Sequence, residues 1–345
     1  MIQFVNSLAS EDKRQALHQY FESIMLSGQY TEGPFTKRAE LLLGGIVGKP
    51  ARLVNSCGSA LYVMFLYFKG QGHNNIVIQN NTFYATGAMA LAAGMKVILC
   101  DSREDCPSMS MRSLKQAIEN SGATVVVLTH IAGWAAKDYA EIAEYCSDNQ
   151  LLLVEDCAHS LGVPPTGLLS TAACWSFYST KAVPIGEGGA ISTNDVGLLQ
   201  FVERYRNYGK HKVNGIIRYD RGMNLRMSEW EAAILYEQLL SFPEIISARR
   251  KDAEVLQSIA PCLLEGSSNF YKYPIAVKHA SGLFCTGKVY ARSDQLDVSL
   301  KGKCSLPVSL ENSHNWSFDH ECLPIGEGIY EGMSEPKVRS LLKCE

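Results

Sequence analysis

Hydrophobic and polar positions along this chain follow two rhythms. Over residues 10–26 the apolar side chains recur at helical spacing, with Leu17, Tyr20, Phe21, Ile24 and Met25 on one side. From residue 51 onward short apolar runs take over, at 51–54, 76–79, 96–100, 124–128 and 151–154. Runs of that length, bounded by turn residues, have the character of buried strands. Helical stretches lie between them, from the small-residue turn at 55–60 to about Phe68, then over 82–93, 111–120 and 138–148. Two more strands are predicted at 173–178 and 190–193, flanking Gly186-Glu187-Gly188-Gly189. Strands alternating with helices in this way predict an α/β fold whose mostly parallel sheet is covered on both faces.

Beyond Asn194 the pattern changes. An amphipathic helix is predicted over 196–206. The stretch 207–220 is polar and basic, with Lys210, His211, Lys212 and Arg218, and reads as a loop, either solvated or a clamp for a substrate phosphate. Helices over 229–240 and 244–259 are split by Pro243, which divides the chain into a large domain, 1–242, and a small one, 243–345. In the small domain, strands are expected at 271–277 and 285–290 and a last helix at 336–342.

Composition narrows the class. A chain of 345 residues exceeds one typical core, in keeping with two packed units. Hydrophobic content of 46% with 19% charged residues describes a globular protein, and a net charge of −3 gives no attraction for nucleic acid or membrane. Glu11, Asp12, Lys13 and Arg14 precede any apolar run, and no window reaches the ~18 apolar residues of a membrane span, so the cytoplasm is the expected compartment. The eleven cysteines are odd in number and include no C-x-x-C pair. Reduced thiols are expected there, with neither disulfides nor a metal site.

Candidate chemistry concentrates in 151–194. Glu155 and Asp156 stand where the 151–154 strand would end, and the 173–178 strand runs out to Lys181. A carboxylate and a lysine at strand ends point to a cofactor site at the carboxyl edge of an α/β sheet. Such a pair can hold pyridoxal phosphate, the lysine as a Schiff base and the acid against the pyridine nitrogen. On local chemistry alone they are as readily a solvated lysine and a helix cap. The strand, turn and helix of 51–68 form either an ordinary tight turn or an anion cradle of free backbone amides.

Ordered blocks decide between these readings. EDCAHSLG (155–162), WSFYSTK (175–181) and GEGGAISTND (186–195) resemble successive blocks of the DegT/DnrJ/EryC1/StrS family of sugar aminotransferases. The resemblance extends through SGQYTEGP (27–34), NSCGSAL (55–61) and RGMNLRMSEWEAA (221–233) and covers residues 20–255 well. It implies a pyridoxal-phosphate-dependent transferase of fold type I with a small, shortened C-terminal α+β domain. Lys181 would carry the cofactor and then act as the base, Asp156 would hold the ring nitrogen protonated, and His159 would lie near the ring hydroxyl. Ser59, Ala60 and Ser176 would hold the phosphate, and Phe83 would stack on the ring. Either Asn224 or Arg226 would reach the phosphate of a neighbouring subunit, so a homodimer with shared active sites is implied. Glu187 would order the lysine loop, and 27–34 would be a lid or a substrate-contact loop, where local chemistry alone allows a plain connection. Opposite charges at ~4 Å gain roughly 4 kcal/mol at an effective dielectric near 20. That is about three pKa units in favour of a protonated ring nitrogen.

The resemblance also implies glutamate as amino donor and a keto-sugar as acceptor, typically nucleotide-linked, in amino-sugar biosynthesis for surface polysaccharide or a secondary metabolite. The shortened small domain leaves a cyclitol or another ketone open as acceptor. Relatives that dehydrate sugars usually have histidine in place of the lysine, so Lys181 argues against that chemistry. Intact Asp156, Lys181 and Ser59 argue against a non-enzymatic, cofactor-binding relative.

Overall fold

The computed structural model describes residues 10–289, 292, 304–305 and 309–343. Helix α1 (Glu11–Ser27) starts at Ser10, whose hydroxyl accepts from the Lys13 amide, and stops at Gly28 in the left-handed region. Helix α2 (Pro34–Val47) is not among the elements expected above. It has no capping side chain of its own. That role falls to Glu229, distant in sequence, which accepts from the amides of Gly33, Phe35 and Thr36.

The α/β run then proceeds as β1 (Ala51–Val54), α3 (Cys57–Gly70), β2 (Asn75–Gln79), α4 (Tyr84–Ala92), β3 (Lys96–Cys100), α5 (Met111–Ser121), β4 (Val125–Thr129), α6 (Tyr139–Asp148), β5 (Leu152–Asp156), β6 (Ala172–Ser176) and β7 (Gly189–Thr193). Helix α7 (Val196–Tyr205) follows, and then the segment expected to be a loop. It is instead a hairpin, β8 (His211–Val213) against β9 (Ile216–Arg218). Asn214 and Gly215 form its turn, both at positive φ, the backbone that suits the twist of a two-residue hairpin. Helices α8 (Glu229–Leu240) and α9 (Phe242–Gln257) meet at Pro243, which sits in the first turn of α9. The remaining elements are β10 (Tyr273–Ala276), α10 (Val277–Ala280), β11 (Cys304–Ser305), α11 (Glu311–Phe318), β12 (His320–Leu323) and α12 (Glu335–Leu341).

The expected strand at 285–290 does not form over its described residues. Gly287 adopts φ 88° and interrupts the extended run. Only two ladder-like bonds to Cys322 remain, from the Thr286 amide and to the Gly287 carbonyl. Tyr290 lies outside the described residues.

The main sheet has the order β1-β7-β6-β5-β4-β2-β3-β11, and within it only β7 pairs antiparallel with its neighbours. Both faces are buried. Along β4, Val125 and Val127 join a core with α3, while Val126 and Leu128 join one with α5 and α6. A third core packs Leu53, Trp175 and Ala190 against α1, α2 and α8. This double burial is why the strands read as continuous apolar runs rather than alternating ones. A separate core gathers Leu256, Tyr273, Ile275, Leu323, Tyr330 and Val338 around the β10–β12 pair. Part of the C-terminal region nonetheless belongs to the large sheet. There β11 pairs with β3, and the Asp101 carboxylate caps α11 through the Asn312 and Ser313 amides. No described helix is long and apolar enough to cross a membrane.

Candidate active site

The carboxyl ends of β4, β5 and β6 and the start of α3 meet where the candidate residues were expected. Asp156 is the last residue of β5 and is buried. Its Oδ2 accepts from Thr86 Oγ1 at 2.7 Å and its Oδ1 from the Ala158 amide at 3.1 Å, which together fix the plane of the carboxylate. Thr86 belongs to a file of hydroxyls that continues to Thr82 (3.1 Å) and on to Thr129 (2.9 Å). Sequence reasoning passed over Thr86. Its only signal was a polar residue one turn into a helix of small apolar ones.

Lys181 sits in the connection between β6 and β7. That loop is tied by the Ser179 amide and hydroxyl, both donating to the Gly186 carbonyl, and by Phe177 and Gly188. The expected ordering role of Glu187 is not met. Its side chain is exposed and makes no hydrogen bond or ion pair among the described residues, and Ser179 does the work instead. The Lys181 amine, half-buried, likewise has no hydrogen bond or ion pair among the described residues. Burial lowers its pKa to about 8, against smaller opposing effects of Cys57 and Asp156. An amine of that kind is neutral in a sizeable minority of molecules near physiological pH, roughly a fifth, and so is available as a nucleophile.

His159 follows β5 at half-buried depth. Its Nδ1 accepts from the Ala132 amide at 3.2 Å, so in the neutral ring the proton rests on Nε2. Burial, with the charges of Lys181 and Lys272, pushes its pKa well below the usual range. The ring is thus a neutral donor. The amide that fixes this tautomer comes from a strained turn, since Ala132 has φ 60°. That turn is held from below by His130, whose Nε2 bonds Glu155 at 2.7 Å and whose Nδ1 accepts from the Ala136 amide. Burial works to raise the Glu155 carboxyl, but the bonds from His130 and the Gly167 amide outweigh it and hold it below its usual range. Glu155 is therefore a buttress for the site.

Ser59 and Ala60 lie in the first turn of α3. Ser56 caps the helix through the Ser59 amide, and the Ser59 hydroxyl bonds Asn55 Oδ1 at 2.7 Å. The Ala60 side chain is fully buried and its amide bonds the Ser56 carbonyl. The amides of Cys57 and Gly58 precede the first intrahelical bond and remain available. Ser176 ends β6, buried, and pairs with Gly189. A Cβ at Gly189 would meet Ser56 and Cys57 backbone atoms at 2.3–2.5 Å, so glycine is what lets β7 pass beneath this turn. Phe83 is an exposed ring at the start of α4, against Tyr84 at 4.3 Å.

Asn224 and Arg226 lie on one strand-like segment beside Asn207 and are not equivalent. Arg226 donates to Asn207 Oδ1 and covers the Tyr208 ring, while Asn207 in turn donates to Glu32 in the 27–34 segment. Asn224 is exposed, and its side chain makes no hydrogen bond among the described residues. The 27–34 segment itself is anchored by a Thr31–Ser228 bridge and by Glu229.

The residue group fits pyridoxal phosphate. It offers a lone amine of depressed pKa, a carboxylate with fixed orientation, a neutral histidine donor, a ring-sized aromatic and a helix start with free amides. A mostly parallel sheet with one reversed strand and a lysine on the loop before that strand defines a fold type I transferase that uses this cofactor. The chain belongs to the DegT/DnrJ/EryC1/StrS aminotransferase family, whose model matches residues 11–286. One relative is the UDP-4-amino-4,6-dideoxy-N-acetyl-beta-L-altrosamine transaminase of Helicobacter pylori, 27% identical over 78% of this chain and 74% of its own length. Another is the L-glutamine:2-deoxy-scyllo-inosose aminotransferase of Streptomyces fradiae, 28% identical over 61% of this chain and 53% of that one. The fold is shared with the GDP-4-keto-6-deoxy-D-mannose-3-dehydratase of E. coli solved with hydrated pyridoxal phosphate bound. The TM-score is 0.84 at 20% identity, covering 99% of this chain and all of that one.

Proposed function

We propose that this chain, as a homodimer, moves the amino group of glutamate to a keto-sugar carried on a nucleotide. The observation that carries the reading is the half-buried Lys181 amine, without a hydrogen bond or ion pair among the described residues, near the fixed carboxylate of Asp156. When bound, pyridoxal phosphate supplies an electron sink that lets an amino group leave one carbon skeleton and join another.

The chain's own residues do the rest. Asp156 would hold a proton on the ring nitrogen, with Thr86 keeping that carboxylate in plane. His159, a donor at Nε2, would bond the ring hydroxyl. The Cys57 and Gly58 amides, with the Ser59 and Ser176 hydroxyls, would bind the phosphate, and Phe83 would wall the ring. Lys181 would hold the cofactor through its amine, and the same Nζ, when neutral and unbound, would serve as the base that accepts a proton from the donor carbon. Lysine rather than histidine at this position favours amination over dehydration. Asn224, with its free amide side chain, is the better placed of the two residues to reach a partner's phosphate, while Arg226 braces Asn207 in its own chain.

The nucleotide-sugar acceptor is supported by the likeness to the Helicobacter transaminase. A cyclitol acceptor is the second reading, favoured by the likeness to the scyllo-inosose enzyme, whose name also gives glutamine as donor. The test is a mass-spectrometric screen of nucleotide-linked keto-sugars and 2-deoxy-scyllo-inosose with each donor. An aminated nucleotide sugar formed only with glutamate supports the first reading, and turnover confined to the cyclitol overturns it.

A further inference from the structure

We infer that Tyr271, from the small domain, is the positioning residue that sets the location and surroundings of the Lys181 amine. The idea goes beyond the roles given above, and its consequence for turnover rests on Lys181 being the cofactor lysine.

Three sets of contacts carry it. The buried Tyr271 ring lies under the Lys181 Nζ, 4.9 Å from its centroid, within the range of a cation–π contact. The same ring meets the His159 imidazole at 4.5 Å with a 36° tilt and takes the Lys272 ammonium at 5.2 Å. Its hydroxyl bonds Thr180 Oγ1 at 3.1 Å, so Tyr271 grips both the lysine side chain and the residue before it.

The ring cannot drift, because its backbone is clasped to the large domain. The Asn269 amide donates to the Gly133 carbonyl and the Lys272 amide to Ala132, on either side of Tyr271. Asn269 Nδ2 donates to the His159 and Leu161 carbonyls, and Asn269 Oδ1 accepts from the Tyr271 amide. A Cβ at Gly133 would lie 2.8 Å from the Tyr271 backbone nitrogen, which shows how closely the two segments pack. Tyr271 therefore joins the small domain to the turn that fixes His159 and to the lysine loop at one point. The ionisable neighbours of the amine are Cys57 from α3, Asp156 from β5, Tyr271 and His159 themselves, and Lys272, whose ammonium lies on the same ring.

The ring acts on the amine in two opposed ways. Its bulk keeps water away, which disfavours the ammonium, and its π face attracts the ammonium. Substitutions separate them. Competitive acetylation of the full chain, freed of cofactor, reads the titration of Lys181 by mass spectrometry of its peptide across pH. Tyr271→Phe keeps bulk and face, so the midpoint stays at the wild-type value. Tyr271→Leu keeps an apolar but smaller side chain over the amine and loses the face, so the midpoint falls. Tyr271→Ala admits water, so it rises by about one unit, a tenfold change in neutral amine below the midpoint. Circular dichroism checks that each variant is folded, and the Phe–Leu contrast suffices if the Ala variant is not. Wild-type midpoints in folded Leu and Ala variants would overturn the proposal, as would a Phe variant that shifts as far as Ala. The labelling requires no turnover, so its outcome is independent of the aminotransferase reading.

Discussion

Replacing Lys181 with methionine tests the state of the amine directly. The side chains are close in length, so the change removes the charge while largely keeping the volume. In the folded, cofactor-free chain the amine has a pKa of about 8 against an ordinary value of 10.5. At about 1.4 kcal/mol per unit, burying it costs about 3 kcal/mol, an upper figure because the group retains some solvent contact. The sign follows from proton binding. Between the two values the unfolded chain binds more protons, so stability rises with pH. The penalty is complete below pH 8 and fades as pH climbs toward 10.5. Lys181→Met should therefore be more stable than the wild type by up to about 3 kcal/mol at pH 7 and by only about 1 kcal/mol at pH 9.5. Urea unfolding of both cofactor-free proteins at the two pH values measures this. An advantage that does not change with pH, or no advantage, would refute the buried-amine geometry.

The other predictions concern the partners of that amine and the frame around it. Asp156→Asn should still bind cofactor yet lose roughly a thousandfold in the glutamate half-reaction, the equivalent of three pKa units at the ring nitrogen, measured by stopped-flow absorbance. An unchanged rate removes Asp156 from its role. Glu229→Ala leaves the amides of Gly33, Phe35 and Thr36 without their acceptor in a buried setting. It should cost about 3–5 kcal/mol in urea unfolding, and a loss under 1 kcal/mol would contradict the anchoring of α2. Mixing Lys181→Ala with an Asn224→Asp variant, after subunit exchange, should restore activity to at most about half per mixed dimer, with Arg226 left intact in both chains. Verified mixed dimers without activity would show that Asn224 serves its own chain.

Most of the sheet was legible because both its faces are buried. Val125–Thr129 and Leu152–Asp156 leave no polar face to confuse with a helix, and hydroxyl or carboxylate caps mark α1, α3, α5 and α7. Helix α2 was missed because its cap is supplied from across the molecule. The β8–β9 hairpin was missed because charge was allowed to outweigh Asn214-Gly215, the one local signal for a tight turn. In the site, Asp156, His159 and Lys181 could be picked out because blocks of sequence surround them. Tyr271 and Thr86 could not. Each acts through a contact made only by the fold, one from a segment beyond the sequence blocks that mark the site, though within the family match over residues 11–286, and one from inside an ordinary helix. Glu187 shows the converse, a charged residue in a glycine-rich loop that suggests a role while its side chain points to solvent.

The central claim is that Lys181 is the residue that holds the cofactor. Purified chain loaded with pyridoxal phosphate, reduced with borohydride and digested, gives the answer by peptide mass. The account predicts a stable pyridoxyl group on the peptide containing Lys181 and its loss in Lys181→Met. Labelling of another lysine, or of none in a loaded protein, would contradict it.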